Sequence, residues 1–465
     1  MKTVDFIKVE EINFQLEQAQ KATGEQVEGI IAKARQARGL TPQEAAILLE
    51  VSDPRLQEQI FRAAKEIKEK IYGKRIVIFA PLYLSNYCVN NCLYCGYRHD
   101  NEISRRRLSP QEIVEEVKIL ERMGHKRLAI EAGEDPVNCP LDYVLEAIQT
   151  IYDTTEEKGN IRRVNVNIAA TGVEEYRKLK EAGIGTYILF QETYHPETYR
   201  MMHPAGPKAS YYYHTTAMDR AMEAGIDDVG FGVLFGLYHY KFEVLALLYH
   251  AQHLEEAFGV GPHTISVPRL RPATGVSLNN FPYLVSDQDF KRIVAVLRLA
   301  VPYTGIILST REEARFRDEV IALGVSQISA GSCTGVGAYK EEYGQKSART
   351  TSQFEVGDHR TPDDILAQLC CDGYLPSYCT ACYRQGRTGD RFMELAKTGR
   401  IANVCQPNAI LTLQEYLLDY ASLATRRLGE EAIQKHLELI PDEKIRKLTL
   451  QYLERIKQGE RDLYL

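Results

Sequence analysis

The sequence predicts an eight-stranded parallel (β/α)8 barrel with helical additions at both ends. Three observations carry that prediction. Short β-branched runs alternate with longer amphipathic runs from about residue 74 to 340, and eight such pairs fill the span such a barrel usually needs. Helical runs close on glycine just before the next strand, at Glu-Ala-Gly 181–183, Glu-Ala-Gly 223–225 and Ala-Leu-Gly 322–324. The rhythm is absent before residue 74 and breaks after 340. A doubly wound open sheet is the competing arrangement.

Residues 1–72 read as a polar helical extension. Thr41-Pro42-Gln43-Glu44 carries a capping signal, with a carboxylate three residues after the threonine. Leu56 to Ile71 places apolar residues at helical spacing among lysines and glutamates. The barrel is assigned to 73–340, with strands at Arg75–Tyr83, Arg127–Glu131, Arg163–Ile168, Thr186–Phe190, Asp228–Leu234, His263–Val267, Gly305–Ser309 and Ser326–Ala330. Helices are expected at Pro110–Met123, Leu141–Glu157 and Gln288–Ala300, among others. Residues 341–465 read as a mostly helical C-terminal domain, entered through a polar stretch from Glu342 to Arg360 and ending in a helical run from Gln414 to Ile456.

The chain has 465 residues, 44% hydrophobic and 26% charged, enough for a sizeable core and too apolar for wholesale disorder. A net charge of −6 leaves no basic footprint for nucleic acid. No apolar run is long enough for a membrane span or a secretory signal, so a cytoplasmic protein is expected. Ten cysteines are too few for a disulfide scaffold of this length, and six fall into two spaced groups. In a reducing compartment such groups read as metal ligands.

The first group is Cys88-Val89-Asn90-Asn91-Cys92-Leu93-Tyr94-Cys95, directly after the first strand. Loops after strands build the active face of a barrel. Three thiolates at this spacing wrap one corner of a cubane and leave one iron open. A structural zinc site is the bland alternative, but it wants a fourth ligand, and only His99 lies nearby. The second group, Cys379-Thr380-Ala381-Cys382 with Cys405 after 22 residues, suits a cluster, a zinc site or plain structural cysteines. Cys370 and Cys371 read as structural.

The spacing C-x3-C-x2-C, with Tyr94 before the third cysteine and a strand ending in Glu131-Ala132-Gly133-Glu134, resembles the radical S-adenosylmethionine superfamily. Ala132 departs from that family's usual Gly-Gly-Glu. The resemblance implies a [4Fe–4S] cluster on Cys88, Cys92 and Cys95 whose open iron is chelated by S-adenosylmethionine. It also implies that Tyr94 lies against the adenine and that backbone around Gly133 and Glu134 receives the methionine amino group. With the terminal C-x2-C-x22-C added, the whole chain resembles the HydG-type tyrosine lyases that mature [FeFe]-hydrogenase. That family implies cleavage of L-tyrosine to p-cresol and dehydroglycine, the latter becoming carbon monoxide and cyanide on iron. It further implies an auxiliary [4Fe–4S] cluster with an extra labile iron on Cys379, Cys382 and Cys405. A ferredoxin or flavodoxin electron donor and hydrogenase maturation proteins would be its partners. A thiamine-type tyrosine lyase lacks the terminal triad, and a non-catalytic iron–sulfur scaffold would not need a substrate-sized mouth.

Other candidates follow from position. A substrate carboxylate calls for an arginine fork at a strand's C-terminal end. Arg311, in Ser309-Thr310-Arg311 after strand seven, is the chosen grip with Ser329 assisting; Arg269 and Arg271 are next. Glu192 and Tyr194 end strand four and face the same mouth, and Lys208 is placed against the methionine carboxylate. Asn165 and Asn167 point to one side of strand three, toward a ribose or each other. His263 opens strand six at the barrel's bottom, where the resemblance assigns it to the extra iron, about 20 Å from the mouth by strand length.

Overall fold

The computed structural model describes residues 4–344 and 351–465. Eight parallel strands close into a barrel: β1 (Arg75–Ser85), β2 (Arg127–Ala132), β3 (Arg163–Asn167), β4 (Tyr187–Glu192), β5 (Val229–Val233), β6 (Thr264–Ser266), β7 (Gly305–Leu308) and β8 (Gln327–Ser329). Pairing of β8 with β1, from Val77↔Gln327 to Phe79↔Ser329, closes the ring and excludes the open sheet. All eight strands fall where the β-branched runs predict them. Their residues are buried almost throughout, because helices cover the outside and side chains fill the inside.

A ninth strand was not legible. β9 (Leu375–Ser377) pairs in parallel with the lower part of β1, from Arg75↔Leu375 to Val77↔Ser377. β2 takes the same edge higher up, beginning at Ala80↔Leu128. A strand of three residues with a central proline carries little periodic signal, and Pro376 suits it to this sheet edge. Its effect is positional: it delivers Cys379 beneath the barrel floor.

The N-terminal helices Val9–Ala19, Gly24–Ala34, Pro42–Glu50 and Pro54–Tyr72 pack on the barrel's helical layer, chiefly against the helix Asp287–Ala300. Thr41 and Glu44 form the expected capping box. Gly183 and Gly225 take left-handed conformations at the helix ends. Gly324 does not; a Cβ there would sit 2.8 Å from Arg298, whose buried guanidinium donates to the Gly324 carbonyl.

Two expected helices are shorter than read. The one from Leu141 stops at Asp153, and a small hairpin, Thr155–Glu156 with Gly159–Asn160, follows. The run from Gln414 to Ile456 is three helices, Ala402–Asp419, Leu423–Leu437 and Glu443–Lys457. Ser422 and Asp442 cap the second and third through their side chains and thereby break the run.

The polar stretch from Glu342 to Arg360 also differs from expectation; its residues 345–350 lie outside the described residues. From 351 onward it is packed across the barrel mouth. Gln353 donates its backbone N–H to the Thr334 carbonyl, and the Gly96 N–H donates to the Gln353 carbonyl. Buried Asp358 is held by Arg317 and Arg360 at 2.7 Å each.

Candidate active site and second cysteine pocket

The loop after β1 is fixed by its backbone before any metal is considered. The Val89 N–H donates to the Glu134 carbonyl (2.8 Å) and the His99 N–H to the Asn90 carbonyl (2.7 Å). Arg105 donates to five carbonyls of this loop, those of Asn86, Tyr97, Arg98, His99 and Asn101, at 2.6 to 3.3 Å. A planar guanidinium with five N–H groups is suited to that task. Gly133 is set by close approach: a Cβ there would lie 2.2 Å from the Tyr87 carbonyl oxygen and 3.1 Å from the Cys88 Cβ.

Cys88, Cys92 and Cys95 all line one cavity of about 210 Å3 at the C-terminal end of the strands. Among the described residues, no three His, Cys, Asp or Glu side chains converge as a single metal ion would require. Three thiols around one cavity suit three corners of a cubane. Burial pushes the Cys95 thiol up to about 11, with Cys88 adding to the shift. Such thiols become thiolates when metal supplies the compensating charge. The Tyr97 N–H and the amide groups of Asn90 and Gln353 point at these sulfurs (3.4 to 3.9 Å). The residues present therefore fit an open-iron cluster.

Around the cavity the structure gathers most of the predicted side chains. Tyr94, Gly133, Glu134, Asn167, Glu192, Lys208, Arg311 and Ser329 all line it. The Tyr94 hydroxyl lies 2.8 Å from Nε2 of His203, whose Nδ1 lies 2.7 Å from the Tyr199 carbonyl. That carbonyl can only accept, so Nδ1 carries the proton and Nε2 accepts from Tyr94. Burial lowers the His203 pKa to about 3, which keeps the ring neutral. Glu192 and Lys208 form an ion pair at 2.7 Å. Ser329 Oγ accepts from the Thr310 N–H, which leaves its hydroxyl proton for the cavity.

Arg311 stacks 3.3 Å from the Phe354 ring, and among the described residues its guanidinium has no ion-pair or hydrogen-bond partner. Arg269 is instead bound by Glu312 and Asp287, and Arg271 by Glu313. The free fork is Arg311.

Two expectations are corrected by placement. Asn165 lies deeper and does not line the cavity; its Oδ1 accepts from the Thr186 N–H at 3.0 Å, satisfying backbone at the start of β4. Tyr194 turns outward, its hydroxyl 2.6 Å from Nδ1 of buried His250. Sequence reasoning missed Glu131, Gln353 and Phe354 as lining residues. Glu131 was legible only as part of the strand-end motif, and the other two lie in a stretch that reads as a linker.

A second cavity, of about 100 Å3, lies at the opposite end of the strands. Cys379, Cys382 and Cys405 line it together with His263, Asp228, Arg75 and Arg127. Cys379 follows β9, Cys382 sits on the short helix Ala381–Arg384, and Cys405 is in the first turn of Ala402–Asp419. Burial pushes the Cys379 thiol up to about 11, with Cys405 adding to it. Both carboxylate oxygens of Asp228 are buried without a hydrogen-bond partner among the described residues. The pocket therefore brings an unpartnered carboxylate, three thiols and a histidine to one lining, all of them donor types that metal centres use. Cys370 is in the hydrophobic core and Cys371 is exposed; neither lines this pocket.

A closed parallel barrel with an open-iron cysteine triad after its first strand defines a radical S-adenosylmethionine enzyme. Residues 82–248 match the Radical SAM superfamily, and residues 266–375 match the Biotin and Thiamin Synthesis associated domain. The family carries a [4Fe–4S] cluster and S-adenosylmethionine. A crystal structure of HydG, a maturase of the [FeFe]-hydrogenase, is 64% identical over 99% of this chain and 100% of that one, with a TM-score of 0.97. HydG from Carboxydothermus hydrogenoformans is 42% identical over 97% of this chain and 99% of that one, with a TM-score of 0.84. The chain belongs to the HydG family. It is also 29% identical over 348 residues to 2-iminoacetate synthase of Escherichia coli (strain K12), 74% of this chain and 89% of the relative. No helix among the described residues is long and apolar enough to cross a membrane.

Proposed function

We propose that this enzyme cleaves L-tyrosine at the Cα–Cβ bond to p-cresol and dehydroglycine, and converts the latter to carbon monoxide and cyanide on iron for [FeFe]-hydrogenase assembly. The observation that carries this reading is the pair of cysteine-lined cavities at opposite ends of one barrel. A lyase that only released dehydroglycine would need the upper one alone.

Cys88, Cys92 and Cys95 would hold the [4Fe–4S] cluster, with Tyr94 against the adenine and Gly133, Glu134, Glu192 and Lys208 around the rest of the cofactor. When bound and reduced, cluster and S-adenosylmethionine supply a 5′-deoxyadenosyl radical. Arg311 holds the substrate carboxylate in its fork, and Ser329 donates its hydroxyl to the same group. Gln353 and Phe354 cover the mouth and limit water there. Asn167 faces the substrate; Asn165 acts only through the backbone it fixes.

Below the floor, Cys379, Cys382 and Cys405 would hold an auxiliary [4Fe–4S] cluster, with His263 on an additional labile iron. Residues 1–72 form a supporting extension, 73–340 the radical barrel and 341–465 the section that brings the second triad under it. A cytoplasmic enzyme is proposed, since a reducing compartment keeps the two triads available as thiolate ligands. A ferredoxin or flavodoxin would supply electrons, and other hydrogenase maturation proteins would receive the product.

The test is anaerobic. Reconstituted enzyme is given dithionite, S-adenosylmethionine and L-tyrosine, and p-cresol, cyanide and carbon monoxide are measured for wild type and for Cys379→Ala/Cys382→Ala. All three from wild type are expected, with p-cresol kept and iron-bound carbon monoxide lost in the variant. Glyoxylate without carbon monoxide or cyanide from wild type would move the assignment to a thiamine-type lyase.

A further inference from the structure

Glu131 is the last charged side chain of β2 and opens onto the upper cavity, yet no cation pairs with it among the described residues. Its one hydrogen bond comes from a neutral donor, Nδ2 of Asn167, at 2.7 Å to Oε2. Oε1 has no hydrogen-bond partner among the described residues. Arg311 has the complementary deficit: a guanidinium in the same cavity with no ion-pair partner among the described residues. The two feel each other's charge, but no ion pair joins them. β1 and β8 lie between their strands in the ring, with Tyr83 of β1 in register with Glu131 and Ser329 of β8 in register with Phe79.

A half-buried carboxylate and a half-buried guanidinium that line one cavity without pairing form a site for a ligand bearing both charges. A free α-amino acid is such a ligand, with its ammonium and carboxylate on one carbon. We propose that Glu131, oriented by Asn167, receives the α-amino group of the substrate, so that Glu131 and Arg311 together clamp the amino acid's head group. This rests on the tyrosine reading above and deepens it, naming the residue that selects an amino acid over a plain carboxylic acid. The environment supports the assignment: burial holds the Glu131 carboxyl up near 8 despite the Asn167 hydrogen bond. A cation must arrive for the carboxylate to be comfortable there. Asn167 fixes the rotamer without neutralising the charge, as a positioning group would.

The test compares L-tyrosine with 3-(4-hydroxyphenyl)propanoate, which lacks only the amino group. Binding of each to reconstituted, S-adenosylmethionine-loaded enzyme is measured anaerobically by calorimetry. Glu131→Gln is expected to weaken tyrosine by about tenfold or more, the scale of one charge-assisted hydrogen bond, and to leave the analogue unchanged. Arg311→Gln is expected to weaken both. Asn167→Ala, a second route to the same point, is expected to weaken tyrosine several-fold and spare the analogue. Equal weakening of both ligands by Glu131→Gln, or unchanged tyrosine binding, would overturn the clamp. Wild-type enzyme that binds neither ligand and makes no p-cresol would instead remove the tyrosine reading, and the clamp with it.

Discussion

The Lys208 ammonium lies 2.7 Å from Oε1 of Glu192, and Glu192 holds that place with a left-handed backbone, φ 68°. The pairing register between β4 and β5 shifts between Phe190 and Glu192, which turns the glutamate into the cavity. A non-glycine residue in that conformation costs roughly 1 kcal/mol or more and persists where the surroundings impose it. The strain here serves to present a carboxylate to Lys208, beside the Tyr94 ring. Lys208→Met is therefore expected to weaken S-adenosylmethionine by about tenfold while the iron of the first cluster is retained. Equilibrium dialysis and iron analysis of the same sample check both halves.

Arg105 carries the next prediction. Its guanidinium serves five carbonyls of the loop that bears Cys88, Cys92 and Cys95. A lysine has three donors from a single point and cannot span them. Arg105→Lys is expected to lower first-cluster occupancy at least several-fold after reconstitution, with the second cluster intact. Bound iron should fall by roughly a third. Unchanged iron content and an unchanged electron paramagnetic resonance signal from the first cluster would remove the role assigned to Arg105.

These residues also show what a sequence discloses. The barrel was legible because alternation and helical periodicity are local and repeat eight times. Cys88, Cys92 and Cys95 were legible because their spacing is itself the chemistry. Arg105 was not, since an arginine that donates to carbonyls looks like any surface arginine until the loop is folded. Gln353 and Phe354 lie in a polar, aperiodic stretch whose path over the mouth is fixed by long-range backbone bonds to Gly96 and Thr334. Asn165 and Tyr194 show the reverse: position on a strand gave the right end of the barrel but not the depth or side chosen by the side chain.

Asp228 and His263 test the lower pocket. Asp228 immediately precedes β5 and His263 immediately precedes β6, so both sit on the barrel floor beside the second triad. His263 stacks edge-to-face on Phe392 at 4.7 Å, which orients the ring. Under the proposed function, His263→Ala and Asp228→Asn should each lower the occupancy of the extra iron severalfold. p-Cresol formation at the far cavity should remain near wild type. Colorimetric iron analysis and the resonance signal of the auxiliary centre supply the readout. If p-cresol falls in step with iron in both variants, the two ends of the barrel are not functionally separate.

His250 makes the fold itself sensitive to acid. Its ring is stacked against Phe231 of β5 at 4.5 Å and against Phe6 of the N-terminal segment at 5.0 Å. Tyr194 and His253 also face it; His253 pairs with Asp219 at 2.6 Å. Burial, with the nearby His253 adding to it, lowers the His250 pKa from 6.5 to about 3. Between those values the unfolded chain binds a proton that the folded protein refuses, so stability is present above 6.5 and is lost as pH falls toward 3. At pH 5 the loss from one such histidine is about 2 kcal/mol. Thermal unfolding of the apoprotein should show a midpoint that falls steadily from pH 7 to pH 5. His125 and His203, also lowered to about 3, contribute to the same fall. His250→Phe keeps the stack and removes the titration, so its pH slope should flatten by about one proton while those of the other histidines remain. An unaltered slope in that variant would mean the His250 ring is protonated in the folded protein, and that its packing between Phe6 and Phe231 opens more readily than its burial implies.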